Sequence, residues 1–460
     1  MYEDVEAAFD SLKGKQYEHA KLWNYYYGDQ PLQYASRRLN NMFANKLEAK
    51  WVENWCRVVV DSLLDRLQLN GFDLENQEAN KKIDEIWARE NADLDADRVH
   101  RAGAVIGEGY IIIEQDEDKT IHMYANRPHL VQAFYADDNP KVLDMAAKWW
   151  ESSGITYLTL YYPDHFEYYA AKGTGSEIGS WNSFESLEEA ANPWNEIPVF
   201  HFASDAEKVQ GELHDVIPLQ DASNKLLADM MVAAEFGAFR QRYVVSNADV
   251  AHLKNAPNEV WEIPASDKTE EGTQVGSFDV TELNNYIQAM NDVSGKIAVI
   301  SRTPKHYLMQ TGADLSGEAL LAMEAPLVKK GEKYQERWSI VWKDVARFLL
   351  KLSDVEVKVE DVKPNWIEPA SIQPLTEMEI IKTAVDAGFP LKAILRERGW
   401  SESKLEKLQE DLDEKKEEET EMANLETAKV MAKFNAGEGA GAGAYNKPPK
   451  QPSKSANSAF

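Results

Sequence analysis

A long helical run with a proline inside it dominates the second half of the sequence. Residues 316–352 contain no strong helix breaker apart from Gly317 at the start, Gly331 and Pro326. A continuous helix of this length spans roughly 55 Å, far more than the three or four turns of an average helix. Pro326 lacks a backbone N–H and its ring clashes with the preceding turn, so we expect a kink there. Since so long a helix should not bury itself in a compact domain, it predicts an elongated subunit or one that packs against copies of itself.

The composition sets the broad class of this protein. The chain has 460 residues, which is enough for roughly two to four packed units. Its single cysteine, Cys56, excludes an internal disulfide framework and a cysteine-based zinc site. No apolar run reaches the length of about 18 residues that indicates a membrane span, and the acidic start lacks the layout of a signal peptide. We therefore expect a protein that folds in a reducing cytoplasm and has no membrane partner.

The chain is also strongly acidic, with a formal net charge of −28 at pH 7. Ordinary DNA affinity requires lysine and arginine to replace the counterions of the phosphates, so this surface should repel nucleic acid. Such acidity is typical of a highly soluble protein. It also fits a surface that must meet DNA without retaining it.

Hydrophobic periodicity predicts an α+β fold that is helical at first and then turns to strands. Period-3.6 patterns place helices at about residues 2–26, 44–67, 78–90 and 96–106. The pattern then changes to short alternating runs separated by Asp, Asn, Gly and Pro, which favour strands. We expect a surface excursion at 172–195, and the strand candidates are 110–114, 120–124, 131–135, 146–150, 157–162, 165–170 and 197–202.

The second half of the chain predicts two helices on either side of a small β insert. These helices cover about residues 218–243 and 281–301. Beyond the long helix, residues 355–360 alternate apolar and charged side chains and predict a half-exposed strand. Two or three helices follow between 376 and 432, and the Gly/Ala-rich and then Pro/Lys/Ser-rich tail is expected to be disordered.

Motifs for catalysis or metal binding are hard to find. Neither Gly14-Lys15 nor Gly295-Lys296 has the glycine spacing, or the following Ser or Thr, of a phosphate-binding loop. Aspartates at 93, 95 and 97 alternate as in a calcium loop, but Arg98 stands where a glycine is required. No two histidines have the i,i+3 or i,i+4 spacing of a helical metal site. We therefore predict neither a cofactor nor a metal.

The strongest enzymatic candidate is Glu356-Val357-Lys358 on the predicted strand. Metal-dependent nucleases present a Glu-x-Lys element in this way, with a further carboxylate from a preceding strand or turn. The nearest upstream carboxylates are Asp344, predicted within the long helix, and Asp354, on the same strand. A metal-dependent nuclease or DNA-processing enzyme that uses Glu356 and Lys358 is therefore an alternative function.

A polar loop before the long helix groups basic and aromatic side chains. It opens with Thr303-Pro304, and its candidate site residues are Lys305, His306, Tyr307, Leu308, Met309 and Gln310. The ordinary interpretation is a surface loop. His306 is kept as a candidate because it stands between Lys305 and Tyr307.

The long helix is basic in its second half, unlike the rest of the chain. Residues 329–351 contain seven basic and three acidic side chains. Two interpretations stay open: this face pairs with acidic residues of its own chain, or it meets acidic neighbours when copies assemble. Under the second, the subunit-contact candidates are Lys329, Lys330, Lys333, Arg337, Lys343 and Arg347.

Short motifs recur in a fixed order along most of the chain, and each is weak alone. They are Tyr26-Tyr27-Gly28-Asp29, Val59-Val60-Asp61, Asn70-Gly71-Phe72, Gly107-Glu108-Gly109-Tyr110-Ile111, Glu196-Ile197-Pro198-Val199, Ile217-Pro218-Leu219-Gln220-Asp221-Ala222-Ser223-Asn224-Lys225 and Leu315-Ser316-Gly317-Glu318-Ala319-Leu320. In this order, with the helix–insert–helix–loop–long-helix arrangement between them, they resemble the portal proteins of tailed double-stranded DNA bacteriophages, in particular the branch of shorter portals.

The resemblance implies a mainly helical, elongated α+β subunit with named regions, assembled into a ring, usually a dodecamer, at one vertex of the viral head. By position these regions would be the wing (1–217, and 316–373 with the long kinked helix and a wing strand), the stem (218–242 and 281–302), the clip (243–280), the tunnel loop facing DNA (303–315), the crown (374–432) and a disordered tail (433–460). Two features depart from the family pattern. Gly211 precedes Glu212 where many members have Ser, and the clip is short.

The resemblance also implies a structural, non-enzymatic role and a set of partners. The ring would be the channel for DNA packaging and genome ejection, located in the virion and in the host cytoplasm before assembly. Its partners would be other copies of the chain, double-stranded DNA, the large terminase, the head–tail connector or adaptor, and the scaffolding and major capsid proteins. Another self-assembling head–tail ring protein is a further alternative, although adaptors are usually much smaller than this chain.

Overall fold

The computed structural model describes most of the chain as two units. The described residues are 2–34, 52–205, 208–238, 242–245, 261, 274–279, 281–309, 316–370, 374–397, 400 and 402–437. Residues 1–401 form the first unit and residues 402–460 the second. The first unit mixes helices and sheets, which confirms the α+β prediction, and the described part of the second is one helix.

Helices build the beginning and the second half of the first unit. The Asn54 side chain caps one of them by accepting a hydrogen bond from the Arg57 N–H. In chain order the helices are α1 Tyr2–Tyr27, α2 Trp55–Leu64, α3 Gln77–Glu90, α4 Ala92–Val105, α5 Ile217–Ala238, α6 Leu283–Ser301, α7 Lys305–Leu308, α8 Gly317–Leu352, α9 Pro374–Asp386, α10 Leu391–Glu397 and, in the second unit, α11 Glu402–Gly437.

The strands pair antiparallel throughout the described residues. They are β1 Leu69–Asp73, β2 Glu108–Gln115, β3 Ile121–Asn126, β4 Val131–Ala136, β5 Asn139–Ser152, β6 Ile155–Tyr161, β7 His165–Lys172, β8 Glu185–Ala191, β9 Val199–Ala203, β10 Arg242–Val245, β11 Gln274–Ser277 and β12 Lys363–Trp366. The sheet orders are β1-β12, β10-β11, β3-β2-β9 and β4-β5-β6-β7-β8.

The largest core surrounds the C-terminal half of α8. Trp338, Trp342 and Phe348 are fully buried, where α8 packs against β9, α3 and β12. Full burial of such a side chain contributes about 2–3 kcal/mol. The expectation that so long a helix cannot be buried in a compact domain is therefore wrong for this half. The reason is that apolar residues recur every three to four positions in this half of α8. They give the helix a continuous apolar side that packs into the core.

His100 lies inside this core and hydrogen-bonds on both ring nitrogens. Its Nε2 is 2.9 Å from the Trp342 indole nitrogen, which can only donate. The Nδ1 therefore carries the proton and donates to the Leu67 carbonyl, 3.0 Å away. Burial lowers the pKa of His100 to about 3, and the bond to the Leu67 carbonyl only partly opposes this. The ring is thus neutral and joins α4 to α8.

The five-stranded sheet packs one face on α1. Phe9 of α1 lies edge-on to Trp149 of β5 at 6.3 Å between ring centroids, and Leu12 is fully buried there. Side chains alternate across a strand, so the residues at the other parity, including Lys148 and Trp150, face away from α1. The opposite face of the sheet is therefore not covered by this helix.

A buried ion pair joins α1 to the neighbouring sheet. The Lys15 Nζ lies 3.0 Å from the Glu108 Oε1 on β2, and Glu108 also faces His201 at 3.3 Å and accepts from the Tyr110 hydroxyl at 2.7 Å. Burial raises the pKa of Glu108, but these partners outweigh it and lower the pKa to about 2. Glu108 is thus held as a carboxylate.

Two segments approach so closely that only glycine fits. A Cβ on Gly211 would lie 2.1 Å from the Val105 carbonyl oxygen at the end of α4. A Cβ on Gly107 would lie 2.6 Å from the backbone of Gln210. The contact between Gly211 and Val105 explains why a glycine occurs where the resemblance leads one to expect a serine. The Cβ of a serine would collide with the Val105 backbone.

Three sequence predictions in this unit were wrong. The helix expected at 44–67 begins at Trp55 because Asn54 caps it, and residues 44–51 lie outside the described ranges. The excursion at 172–195 contains β8 and the buried Ile178 and Phe184. Residues 355–358 form no ladder, since the strand that pairs with β1 is β12, further along the chain.

The helices around the β insert are close to their predicted positions. α5 and α6 pack against each other, and the described residues between them include the hairpin β10–β11. Among the residues that the structure describes, three helices follow β12, in agreement with the two or three predicted for 376–432.

Candidate functional site

The polar loop starts as a short helix that is fixed to the body of the first unit. Lys305–Leu308 forms α7, and the Leu308 side chain is only 2% exposed. Lys305 is exposed, whereas His306, Tyr307 and Met309 are half-buried. Gln310 and the rest of the loop to residue 315 lie outside the described residues. The first half of the loop therefore packs against the rest of the first unit.

A polar cluster fastens α7 to two other helices. The Tyr307 hydroxyl donates to the Glu324 Oε1 on α8 at 3.1 Å. Arg66, just past α2, lies 2.8 Å from the Glu324 Oε2 and 3.2 Å from the Tyr307 oxygen. His306 faces the same carboxylate at 3.7 Å. We call Arg66, Tyr307 and Glu324 the loop anchor.

A second polar cluster holds the end of α6 against α8. The Lys330 Nζ donates to the Ser301 carbonyl in the last turn of α6 and lies 2.6 Å from the Glu212 Oε2. The Tyr334 hydroxyl donates to the other Glu212 oxygen at 2.9 Å. A cation at a helix C-terminus is stabilised by the helix dipole. We call Glu212, Lys330 and Tyr334 the helix anchor.

Both anchors tie a residue at or near the start of the connection between α6 and α8 to α8 itself. Arg66, Glu324, Lys330 and Glu212 are all largely buried at the side chain, between 7% and 16% exposed. Buried charge pairs are costly to break, because the remaining partner keeps its charge without compensation. The start of this connection is therefore held at a fixed position against α8.

The basic face of α8 divides into paired and unpaired residues. Arg347 lies 2.5 Å from Glu196, which also binds Lys351 at 2.6 Å. Burial raises the pKa of Glu196, but these two cations outweigh it and lower the pKa below its usual value. Arg337 faces Asp205 at 3.5 Å. With Lys330 buried in the helix anchor, part of the basic face pairs with acidic residues of its own chain.

The remaining subunit-contact candidates face outward. Lys329 and Lys333 are exposed and Lys343 is half-buried. Lys329 pairs with Glu332, one helical turn away. Within the described part of the chain, Lys333 and Lys343 have no carboxylate partner. These three lysines are available to another molecule in a way that Lys330 and Arg347 are not.

Pro326 lies inside α8, and the helix continues through it. The residue is exposed, and Leu327 next to it is fully buried. A proline on the outer side of a helix removes one hydrogen bond where water can satisfy the freed carbonyl. The kink expected at this position stays a prediction.

The residues of the enzymatic alternative do not gather into a site. Glu356 and Lys358 are exposed and lie in the segment that forms no ladder. Among the described residues, no three His, Cys, Asp or Glu side chains converge as metal ligands would. This arrangement offers no support for the nuclease alternative.

Sequence reasoning missed Arg66, Glu212 and Glu324. One signal was present for Arg66, because it continues the apolar stripe of Val59 and Leu63 at helical spacing. A basic residue on an apolar stripe indicates a buried partner. The partner itself, Glu324, lies more than 250 positions away, which no local pattern reveals.

Comparison with known proteins identifies the family. The model of the family described as "Phage portal protein, SPP1 Gp6-like" matches residues 15–422, a span that contains both anchors and the loop between them. The chain belongs to this family. Phage portal proteins are structural components of the virion capsid, and the family implies a homo-oligomeric ring.

Two curated relatives carry the name portal protein. The one from Mycobacterium phage D29 is 25% identical over 346 residues, covering 68% of this chain and 68% of that protein. The one from Mycobacterium phage L5 is 22% identical over 340 residues, with 68% of each chain covered. Within the described residues of this portal-family chain, no helix is long and apolar enough to cross a membrane.

Proposed function

We propose that this portal-family chain forms a ring, a dodecamer in the virion, at one capsid vertex and that DNA passes through its channel during packaging and ejection. The family match over residues 15–422 carries the proposal, because it spans the paired helices, the loop and the long helix together. The acidic charge of −28 supports it, since a channel must conduct DNA without neutralising its phosphates.

The regions of the subunit follow the assignment that the resemblance gives. The packed pair α5 and α6, with the hairpin β10–β11 between them, supports a stem at 218–242 and 281–302 and a clip at 243–280. The sheets and the buried half of α8 support a wing at 1–217 and 316–373. Helices α9 to α11 support a crown at 374–432, and 433–460 is the tail.

Residues 303–315 are proposed as the tunnel loop. Its first half is fixed by the loop anchor, so contact with DNA falls to the exposed Lys305 and to the residues that follow Met309. One lysine contact per subunit at this position neutralises too few phosphates to hold DNA tightly but can meet a phosphate in passing.

Contacts between copies are proposed at Lys329, Lys333 and Lys343. They point outward from a helix whose other basic residues pair within the subunit. An acidic chain presents abundant carboxylates to such a seam when copies assemble. Docking surfaces for the large terminase, the head–tail connector, and the scaffolding and major capsid proteins complete the proposed function.

Negative-stain electron microscopy of the purified full-length protein tests the ring. We expect annular particles with a central hole. A homogeneous monomer at high protein concentration would contradict the proposal. A size measurement in solution, such as sedimentation velocity, provides the control for particles that form only on the grid.

A further inference from the structure

The face of the five-stranded sheet that points away from α1 forms the floor of a groove. The groove encloses about 1090 Å³. Its floor is built from alternate residues of β5 to β8, and its sides come from the turn after β2 and from residues 193–198. We call it the sheet groove. Neither the stem, the loop nor the basic face of α8 contributes to it.

Aromatic side chains cover the floor of the sheet groove. Trp150 and Tyr157 are direct cross-strand partners, and their rings stack at 4.3 Å with an angle of 16°. Trp150 is 41% exposed, although large aromatic residues of this kind are usually highly buried. Tyr168 and Tyr124 are half-buried in the same groove. Ordered aromatic rings at a surface form a rigid contact area that costs little entropy to occupy.

The charge of the sheet groove is negative. Its lining includes the carboxylates of Glu114, Asp116, Glu117 and Glu188 and a single cation, Lys148. Lys148 already makes a cation–π contact within the groove, because its Nζ lies 4.7 Å from the centroid of the Tyr124 ring. The groove therefore attracts a cationic ligand and places aromatic faces beneath it, which is the arrangement for cation–π contacts.

The register of the sheet orders these groups into two rows. Lys148, Thr159, Tyr168 and Glu188 follow one another across four strands, and Trp150 and Tyr157 form the next row. Rows two residues apart along a strand are separated by about 7 Å. A ligand that touches both the aromatic row and the carboxylate of Glu188 must therefore be extended, like a stretch of polypeptide, and not a small ion.

We propose that the sheet groove docks an extended, basic, proline-containing peptide segment of a partner protein. Proline-rich segments dock in aromatic-lined grooves because their extended conformation is largely preformed, so little entropy is lost on binding. Lysine or arginine side chains of the segment meet the carboxylates at the rim. This docking surface shares no residue with the proposed tunnel loop or with the lysines proposed for contacts between copies.

A labelled synthetic peptide provides the test. Its sequence is that of residues 445–456 of this chain, which contains Pro448, Pro449 and Pro452 together with Lys447, Lys450 and Lys454 and so carries the required chemistry. Binding is measured by fluorescence anisotropy on the full-length protein carrying Lys447→Glu, Lys450→Glu and Lys454→Glu, so that its own copy of this segment does not compete for the groove. We expect saturable binding that weakens at least about tenfold with Trp150→Ala, because an aromatic anchor is lost.

Matched variants separate the groove from general effects. Trp400→Ala removes a tryptophan of similar exposure, 40%, outside the groove and should leave binding unchanged. Glu188→Lys should weaken binding, whereas Glu189→Lys, on the other face of the same strand, should not. A peptide with its three lysines replaced by glutamate should not bind.

Three outcomes would overturn the proposal. They are an absence of saturable binding by the unmodified peptide, binding that Trp150→Ala leaves unchanged, and equal losses in the groove variants and their controls. Far-ultraviolet circular dichroism and thermal unfolding confirm that each variant is folded. Trp150→Phe, which keeps an aromatic ring, should retain most of the affinity.

Discussion

At the scale of single residues, this chain relies on a few buried polar groups to join distant parts. Arg66 and Glu324 connect α2 to α8 beside the loop, and His100 bridges α4 and α8. These pairings between distant residues form only in the folded state. Removing one partner therefore leaves the other buried and uncompensated.

Arg66→Met should lower the free energy of unfolding by about 3 kcal/mol, because it leaves the Glu324 carboxylate buried without its cation. Urea unfolding followed by tryptophan fluorescence measures the change. Arg57→Met is the matched control, since Arg57 pairs with Asp61 at an exposed site and should cost less than about 1 kcal/mol. If both substitutions lowered the free energy of unfolding equally, the buried ion pair of the loop anchor would stabilise the fold no more than an exposed pair does.

His100 should make the protein less stable as the pH falls below 6.5. Its pKa is lowered to about 3 in the fold by burial, from 6.5 in the unfolded chain. Between these values the unfolded state binds the extra proton, so stability is complete above pH 6.5 and declines towards pH 3. Thermal unfolding between pH 7.5 and 5, within the range where the protein stays soluble, measures this slope.

His100→Gln keeps a hydrogen-bond acceptor for Trp342 but cannot titrate, so the slope of stability against pH should become shallower. His214→Gln is the control, because it replaces an exposed histidine and leaves the buried His100 ring and its two hydrogen bonds in place. An unaltered slope in His100→Gln would mean that another buried histidine causes the acid sensitivity, such as His19, whose pKa burial lowers to about 4.

At the scale of elements, the first half of the connection between α6 and α8, up to Met309, is fixed by the loop anchor. Deleting residues 311–314 removes only the second half. We expect rings of normal appearance, because both anchors remain, together with impaired DNA packaging, because the proposed tunnel loop is shortened. Electron microscopy and an in vitro packaging assay measure the two properties.

Leu308→Ala is the contrasting substitution for the same element. Leu308 is buried, so its truncation should cost about 2–5 kcal/mol of stability. If the deletion of 311–314 abolished rings instead of packaging, the loop would be a structural part of the ring. Its assignment as a DNA-facing element would then be wrong.

At the scale of the whole molecule, the outward lysines of α8 are the proposed seam between subunits. Lys329→Glu, Lys333→Glu and Lys343→Glu combined should prevent ring formation, since like charges would then face each other. Sedimentation velocity measures the assembled fraction at low and high salt. The effect should be weaker at high salt, where exposed charges are screened.

The control carries the same change in net charge at other sites. Lys82→Glu, Lys119→Glu and Lys141→Glu replace three exposed lysines of the proposed wing. This variant should assemble as the unmodified chain does. If both triple variants fail to assemble, total charge and not the seam governs the ring.

Much of this fold was predictable because its signals are local. The positions of α1, α3, α6 and α8 follow from helical periodicity, and most strands from short alternating runs between turn residues. β8 was missed because its side chains are almost all exposed and show no alternation. The strand predicted near 355–360 was misplaced, because an alternating pattern does not show whether a partner strand is available to pair with it. The strand that pairs with β1 is β12.

By itself, the sequence determined the α+β class, the long helix through Pro326, the acidic surface and the order of motifs that identifies a portal-family protein. These depend on neighbouring residues and on composition. Only the tertiary structure decided that half of α8 is core, that Lys330 and Arg347 pair within the subunit, and that Arg66 and Glu324 fix the loop base. Such pairings join residues far apart in the chain, and only the packed backbone sets the distance between them.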